Sequence, residues 1–237
     1  MLFALQLVIY LVRNTHKNYY SNSTTSHYSN LLNRIRELLN PTLEKIGTVF
    51  ATTGISPNGW SCLSLCALVL AGVIYSTASF TANLGWFYLP LMGSLLLLIG
   101  GFFDLVDGSV ARVTKHSSQN GAFLDSTGDR ISESVIFIGI ALGALAEPIL
   151  CMVALALSLL VSYVRARAES LGVELAGLGV GERAERLLIL AIVSLAPIAN
   201  AMQWAIVIVS LVAGCTVIHR VLITSKKLSQ FASRTSI

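Results

Sequence analysis

Charged residues are scarce in this chain. Asp, Glu, Lys and Arg together make up 12% of its 237 residues, whereas 54% are hydrophobic. Soluble domains carry about 25% charged residues, so this composition excludes an ordinary soluble protein and predicts a chain that crosses a membrane several times. The formal net charge of +4 gives no reason to expect a nucleic-acid partner, because the basic residues fall where membrane topology places them.

Cysteine and histidine show no metal-binding pattern. The four cysteines lie in apolar stretches, without the spacing of a zinc site or of a disulfide framework. The chain also lacks a Walker-type glycine-rich loop and a nucleophilic arrangement of Ser, Cys and His. Zinc chemistry, disulfide scaffolding and the chemistry of a P-loop kinase or a covalent phosphatase are therefore not supported.

Aspartate is also rare, and all of it lies in one place. The four aspartates are Asp104, Asp107, Asp125 and Asp129. Spacings of three and four residues place each pair on one face of a helix. Carboxylates in apolar surroundings persist when they are paired or bind a metal ion, and oxygen ligands without Cys or His suit Mg²⁺, Mn²⁺ or Ca²⁺. Two facing pairs could hold two ions, an arrangement that stabilises phosphoryl displacement.

Small residues between the aspartates fit this interpretation. Gly108 lets a ligand approach the backbone closely, and Ala111 leaves space on the same helix face. Arg112 can bind a phosphate through two hydrogen bonds, and Gly121 precedes the second aspartate pair by one turn. A membrane proton relay or ion path is the alternative for intramembrane acids, and helix capping is another. Neither accounts for the glycines, the alanine and the arginine.

The complete pattern is D-x2-D-G-x2-A-R-x8-G-x3-D-x3-D, running from Asp104 to Asp129. It resembles the signature of the CDP-alcohol phosphatidyltransferases at every fixed position. The resemblance implies an integral membrane enzyme that transfers a phosphatidyl-type group from a CDP-linked lipid to an alcohol and releases CMP. It implies two Mg²⁺ ions, with Mn²⁺ as an alternative, held by all four aspartates. The last of them, Asp129, is expected to act as the general base.

Hydropathy predicts an all-α integral membrane protein with six transmembrane helices and an N-terminal interfacial amphipathic helix. Residues 1–28 are expected to form a flexible extension, residues 29–52 the interfacial helix, residues 53–226 the six-helix catalytic domain and residues 227–237 a cytoplasmic tail. The predicted spans are 58–80, 84–107, 121–146, 148–168, 185–200 and 202–224.

The distribution of basic residues predicts the orientation. The chain has 16 Lys and Arg, and none lies in the turns after the first, third and fifth predicted spans. The positive-inside rule then places both termini and the aspartates on the cytoplasmic side of the cell membrane.

A second motif opens the first predicted span. Pro57-Asn58-x-x-Ser61 resembles a nucleotide-contacting element of the same family, although helix capping is the alternative role for Asn58 and Ser61. A hydroxyl at Ser118 also resembles a nucleotide-side Thr or Ser of the family. The resemblance therefore implies a nucleotide site made by Asn58, Ser61, Gly108, Arg112 and Ser118.

Four arginines flank a glycine-rich loop at residues 171–181 and are candidates for binding the acceptor's phosphate. Inside-positive anchoring is the alternative for all four, and for Arg186 an ion pair with Glu182 at i,i+4. The candidate residues are Arg165, Arg167, Arg183 and Arg186.

The surrounding residues indicate the acceptor. Tyr163-x-Arg-Ala-Arg-Ala-Glu, followed by Glu-Arg-Ala-Glu-Arg-Leu, resembles the family branch that uses inositol phosphate. The implied donor is CDP-diacylglycerol or CDP-archaeol, the implied acceptor is a phosphorylated polyol, and the implied assembly in the lipid membrane is a homodimer. Glycerol 3-phosphate is the alternative acceptor, and a membrane cation transporter is a remote alternative of a different class.

Overall fold

The apolar stretches fold as helices, because a backbone that crosses lipid must satisfy its hydrogen bonds within its own segment. The structure, a computed structural model, describes residues 41–80, 85–114, 118–175, 181–196 and 199–235. These ranges contain helices and no strand, which confirms the all-α prediction for the part of the chain they cover. The helices are α1 at 41–51, α2 at Pro57–Ser76, α3 at Gly85–Thr114, α4 at Gln119–Leu142, α5 at Pro148–Ser170, α6 at Arg183–Ser194 and α7 at Ala201–Thr235, with a short 3-10 turn at Ala78–Phe80.

Four helical segments are long and apolar enough to cross a membrane. They correspond to the first, second, fourth and sixth predicted spans, and the second extends beyond its predicted end at Asp107. The whole Asp104–Arg112 segment is therefore helical, which puts Asp104 and Asp107 about one turn apart. The segments are Pro57–Phe80, Tyr88–Thr114, Pro148–Ser170 and Ala201–Gln230.

The third and fifth predicted spans are helical but differ from these four. Helix α4 carries two aspartates, an arginine and a glutamate between Asp125 and Glu133, so its composition is too polar for a span recognised by hydropathy alone. Helix α6 has 12 residues, fewer than the roughly 20 needed to cross a bilayer. The described residues therefore support a helical membrane protein with four candidate spans.

Glutamates determine where two of the helices begin. Helix α5 starts at Pro148, and the carboxylate of Glu147 accepts hydrogen bonds from the Ile149 and Leu150 amides at 3.1 Å and 2.7 Å. At α6 the carboxylate of Glu185 accepts from the Glu182 amide at 3.2 Å. Both carboxylates satisfy amides that have no partner inside the helix, so these starts are encoded locally.

The described residues form two compact units. The described residues of 41–64 and 102–125 belong to the first unit, and those of 65–101 and 126–237 belong to the second. Helices α2, α3 and α4 each contribute one part of their length to each unit.

An aromatic cluster forms the core of the first unit. Trp60, Val106 and Val110 are buried, and Phe50 and Phe103 pack against them. The Phe50 and Trp60 rings meet edge to face with their centroids 5.2 Å apart, a favourable geometry for aromatic pairs. This cluster joins α1 to α2 and α3 within the unit.

The core of the second unit combines apolar side chains with close helix approaches. Its fully buried members include Tyr75, Leu68 and Leu97. A Cβ atom at Gly139 would collide with the backbone of Gly72, so α4 and α2 approach more closely than any larger residue allows.

The N-terminal predictions fall largely outside the described residues. The expected extension at residues 1–28 and the first part of the expected interfacial helix, residues 29–40, lie outside them. Residues 41–51 are helical, and among them only Gly47 is buried.

The Gly139 contact predicts a matched pair of stability effects. Gly139→Ala should lower the apparent melting temperature, because overpacking costs about 1–3 kcal/mol. Gly101→Ala should leave it unchanged or raise it, since the added methyl group meets no atom within 4 Å and alanine favours helix by about 1 kcal/mol. Thermal unfolding of both purified variants in detergent measures the difference. Equal melting temperatures would show that the Gly72 contact is not tight.

Candidate active site

Three carboxylates converge in the first unit. Asp104 and Asp107 on α3 and Asp125 on α4 each place one oxygen within 4.8 Å of the other two. Like charges this close destabilise one another unless a cation lies among them. The structure therefore brings together three of the four aspartates as a group suited to a hard divalent cation.

Asp107 supplies the observation that a metal ion fits this group. Its side chain is 8% exposed, and its Oδ2 atom is buried without a hydrogen-bond partner among the described residues. A buried carboxylate oxygen without a partner is costly, and coordination to a cation would remove that cost. The Ser61 side chain lies near the same carboxylate, and its hydroxyl donates to the Pro57 carbonyl oxygen at 3.2 Å.

The backbone beside Asp107 is open. A Cβ atom at Gly108 would have no atom within 4 Å, so a ligand can approach the helix next to the carboxylates. Arg112, one turn further along α3, donates a hydrogen bond from Nη2 to Ser109 Oγ at 3.1 Å. This bond anchors the guanidinium to the helix turn that follows Gly108.

Asn58 and Ser118 meet at Gly121. A Cβ atom at Gly121 would lie 3.0 Å from Asn58 Oδ1 and 3.0 Å from Ser118 Oγ. Ser118 Oγ also accepts a hydrogen bond from the Gly121 amide at 3.0 Å, so it caps the start of α4. The five predicted nucleotide residues all belong to the first unit, as do the three clustered aspartates.

The fourth aspartate belongs to the second unit and is ion-paired there. Asp129 Oδ1 lies 2.6 Å from Arg183 Nη1, and Asp129 Oδ2 lies 3.4 Å from Arg130 Nη1. Arg183 also donates from Nη2 to Ser132 Oγ at 3.1 Å. The strong, partly buried pair with Arg183 fixes the orientation of the Asp129 carboxylate.

Arg186 has partners that the sequence did not indicate. Its side chain is 1% exposed, and it forms a two-point ion pair with Glu133, from Nε at 2.9 Å and from Nη2 at 3.0 Å. Its Nη1 donates to the Gly181 carbonyl oxygen at 2.6 Å. The sequence offered an ion pair with Glu182 as the alternative role of Arg186, and the structure shows an ion pair with Glu133 instead. This buried geometry favours a structural role over phosphate binding.

The remaining arginines are more accessible. Arg165 is half-exposed and contacts Glu169 from Nε at 2.9 Å and Glu182 from Nη1 at 3.4 Å. Arg167 is exposed and donates to Ser170 Oγ at 3.4 Å. These two side chains can exchange their present partners for a bound anion at small cost, since exposed ion pairs are weak.

Arg220 is a candidate that the sequence interpretation missed. It is 2% exposed, donates from Nη1 to the Val161 carbonyl oxygen at 3.0 Å, and shares Glu182 with Arg165 through an Nη2 contact of 3.5 Å. The missed signal was an arginine inside a long apolar segment, which is costly in a membrane and usually functional.

The fold and these contacts define a helical membrane protein with a carboxylate site suited to a divalent cation and with several arginines beside an aspartate. A family model described as CDP-alcohol phosphatidyltransferase matches residues 54–217. The chain belongs to this family and is therefore a membrane phosphotransferase.

Relatives in the same family are similar to this chain along much of its length. The archaetidylinositol phosphate synthase of Pyrococcus horikoshii is 36% identical over 200 residues, which cover 84% of this chain and 98% of the relative. The phosphatidylinositol phosphate synthase of Streptomyces avermitilis is 40% identical over 142 residues, covering 57% of this chain and 54% of the relative.

Solved structures share the fold. The crystal structure of Mycobacterium tuberculosis phosphatidylinositol phosphate synthase with CDP-DAG bound matches with a TM-score of 0.63 and 24% identity, covering 77% of this chain and 92% of that chain. The same protein in complex with manganese and citrate gives a TM-score of 0.64 at 24% identity, with 77% and 88% covered.

The buried pair between Arg186 and Glu133 predicts a large stability effect. Arg186→Ala should destabilise the protein by about 3–5 kcal/mol, because it leaves the Glu133 carboxylate buried and unpaired. Arg167→Ala is the matched control and should change stability by no more than about 0.5 kcal/mol. Chemical or thermal unfolding in detergent measures both.

The double variant Arg186→Met/Glu133→Leu tests the cause. It should regain much of the loss, since neither charge is then left without its partner. If the double variant were as unstable as Arg186→Ala, the loss of stability would come from packing and not from the unpaired carboxylate.

Proposed function

We propose that this protein transfers a phosphatidyl or archaetidyl group from a CDP-linked lipid to a hydroxyl of inositol phosphate and releases CMP. The observation that carries the proposal is the convergence of the Asp104, Asp107 and Asp125 carboxylates beside the open backbone at Gly108. The printed names of the relatives from P. horikoshii and S. avermitilis support the inositol-phosphate acceptor.

The four aspartates are proposed to hold two Mg²⁺ ions, with Mn²⁺ able to replace them. Such ions would neutralise the charge of the lipid's diphosphate and stabilise the charge that develops during transfer. The unpartnered Oδ2 of Asp107 and the wholly oxygen-based donor set support hard divalent ions. Asp129 is included because it follows Asp125 by one helical turn in the family motif.

The nucleotide is proposed to bind in the first unit. Gly108 provides room at the backbone, Arg112 supplies a cation for a phosphate, and Ser61 lies near Asp107. Asn58 and Ser118, which meet at Gly121, offer polar atoms to the cytidine or its ribose.

Asp129 is proposed to act as the general base. It would accept the proton of the acceptor hydroxyl while the hydroxyl oxygen forms a bond to the lipid-side phosphorus and the bond to the CMP oxygen breaks. Arg183 holds this carboxylate at 2.6 Å, so the base is oriented before the acceptor arrives.

The acceptor's phosphate is proposed to bind among the arginines of the second unit. Arg165 and Arg167 are accessible, Arg183 lies beside the base, and Arg220 joins Arg165 through Glu182. Arg186, predicted with them, would contribute indirectly by holding the Gly181 carbonyl at the start of α6.

The membrane arrangement is proposed to follow the sequence interpretation. Helices α4 and α6 would complete six transmembrane helices, with residues 53–226 as the catalytic domain, an interfacial helix at 29–52, an extension at 1–28 and a tail at 227–237. The distribution of Lys and Arg supports cytoplasmic termini and a cytoplasmic active site in the cell membrane. A homodimer is proposed from the family resemblance alone.

An acceptor panel tests the proposed reaction. Purified protein with Mg²⁺ and CDP-diacylglycerol or CDP-archaeol should release CMP with inositol phosphate, and little with glycerol 3-phosphate or unphosphorylated inositol. Removing the metal with EDTA should abolish release, and added Mg²⁺ should restore it. If glycerol 3-phosphate were the one acceptor that supports CMP release, it would take the place of inositol phosphate in the proposed reaction, and the chemistry would stand. CMP release that persists in EDTA would contradict the metal proposal.

Asp129→Asn tests the base. The variant should lose transfer by at least about 100-fold, since general-base catalysis contributes about 10²–10⁴, while it keeps CDP-lipid binding. Glu44→Gln, an exposed carboxylate on α1, is the control and should behave as wild type. CMP release and CDP-induced thermal stabilisation are measured on the same preparations. Near-normal turnover of Asp129→Asn would show that another group takes the proton.

A further inference from the structure

We propose that Gly47, the buried glycine of α1, is a positioning residue that holds the turn of α3 carrying Ser109 and Arg112. The proposal deepens the function proposed for the first unit and rests on it for the role of Arg112. Helix α1 ends before residue 54, where the family match begins, so the family assignment by itself gives this helix no role.

The closest approach between α1 and α3 lies at Gly47. A Cβ atom there would be 2.6 Å from the Ser109 carbonyl oxygen, 2.9 Å from the Ser109 carbonyl carbon and 2.8 Å from Val113 Cγ2. Gly47 is buried, whereas its neighbour Thr48 is exposed. Because the nearest atom is the Ser109 backbone carbonyl oxygen, rotation of the Val113 side chain cannot by itself make room for a larger residue.

Ser109 links this contact to the nucleotide site. Its hydroxyl donates to the Leu105 carbonyl oxygen at 2.7 Å and accepts from Arg112 Nη2 at 3.1 Å. Both bonds depend on the position of the Ser109 backbone, against which Gly47 packs. A shift of α1 would therefore move the anchor of Arg112.

The aromatic cluster extends the same support to the carboxylates. Phe50 of α1 meets Trp60 edge to face at 5.2 Å and Phe102 at 5.7 Å. Trp60 precedes Ser61, and Val106 of the same cluster precedes Asp107. The residues packed against α1 are therefore the immediate sequence neighbours of Ser61 and Asp107.

An interfacial helix that only rests on the membrane gives a different expectation. It would tolerate a methyl group at any position apart from a change in helix propensity, which favours Ala over Gly by about 1 kcal/mol. Contact with the Ser109 backbone makes Gly47 sensitive instead. The difference is measurable in the substrate parameters of the folded enzyme.

The test compares the same new side chain at adjacent positions of the full-length protein. Gly47→Val should raise the KM for CDP-lipid and lower kcat/KM by about tenfold or more, since a displacement of about 1 Å can cost about 100-fold. Gly47→Ala should give a smaller effect in the same direction, and Thr48→Val should remain within about twofold of wild type. The KM for inositol phosphate should stay unchanged in all three.

A second pair of variants tests the positioning role of α1 if the Gly47 variants do not fold. Phe50→Leu removes an aromatic contact but keeps an apolar side chain, and it should raise the CDP-lipid KM, whereas Val49→Leu changes an exposed position and should not. Parameters are expressed per folded molecule, from the monodisperse fraction on size-exclusion chromatography. A structural role without positioning would lower the folded fraction and leave KM unchanged in both pairs, which would overturn the proposal.

Binding of CDP with Mg²⁺, measured by thermal stabilisation, separates this proposal from the proposed function. If wild type binds CDP but releases no CMP with inositol phosphate, the acceptor assignment fails. Weaker CDP binding by Gly47→Ala than by Thr48→Val would still support positioning by α1. Equal CDP binding by these two variants would overturn it.

Discussion

Repulsion among three carboxylates is the constraint on which the first unit depends. Asp104, Asp107 and Asp125 bring oxygens within 4.8 Å of one another in a chain with few charges to neutralise them. The arrangement persists only if the backbones that carry these groups are held firmly and a cation offsets the charge. The aromatic packing around Trp60 restrains the helices that carry these residues, and the open backbone at Gly108 leaves space for a charged ligand.

Glycine determines how closely the helices approach within each unit. Gly47 lies against the backbone of Ser109, and Gly139 lies against that of Gly72. Gly108 differs, since no atom occupies the space beside it. The same residue type therefore serves helix packing at two positions and leaves open space at a third. In a membrane, where apolar side chains gain little by leaving lipid, such close backbone contacts are a main source of helix association.

Arginine has several separate roles in the second unit. Arg186 forms a buried ion pair with Glu133, Arg183 is ion-paired with Asp129, and Arg165 remains accessible beside Glu182. Four arginines that look equivalent in the sequence are therefore divided by burial into structural and accessible members. The accessible ones can exchange a weak ion pair for a bound phosphate, whereas the pair formed by Arg186 cannot be broken without leaving a buried charge.

The sequence by itself determined the helical membrane class, the family and the carboxylate motif, because hydropathy and the spacing of rare aspartates are local properties of the chain. The motifs singled out Asn58 and Ser118, but only the tertiary structure showed that both side chains lie next to Gly121. Only the folded chain revealed the partner of Arg186, the burial of Arg220 and the contact of Gly47 with Ser109. These features depend on contacts between residues far apart in sequence. Which residues come into contact is decided by three-dimensional packing, and spacing along the chain does not encode it.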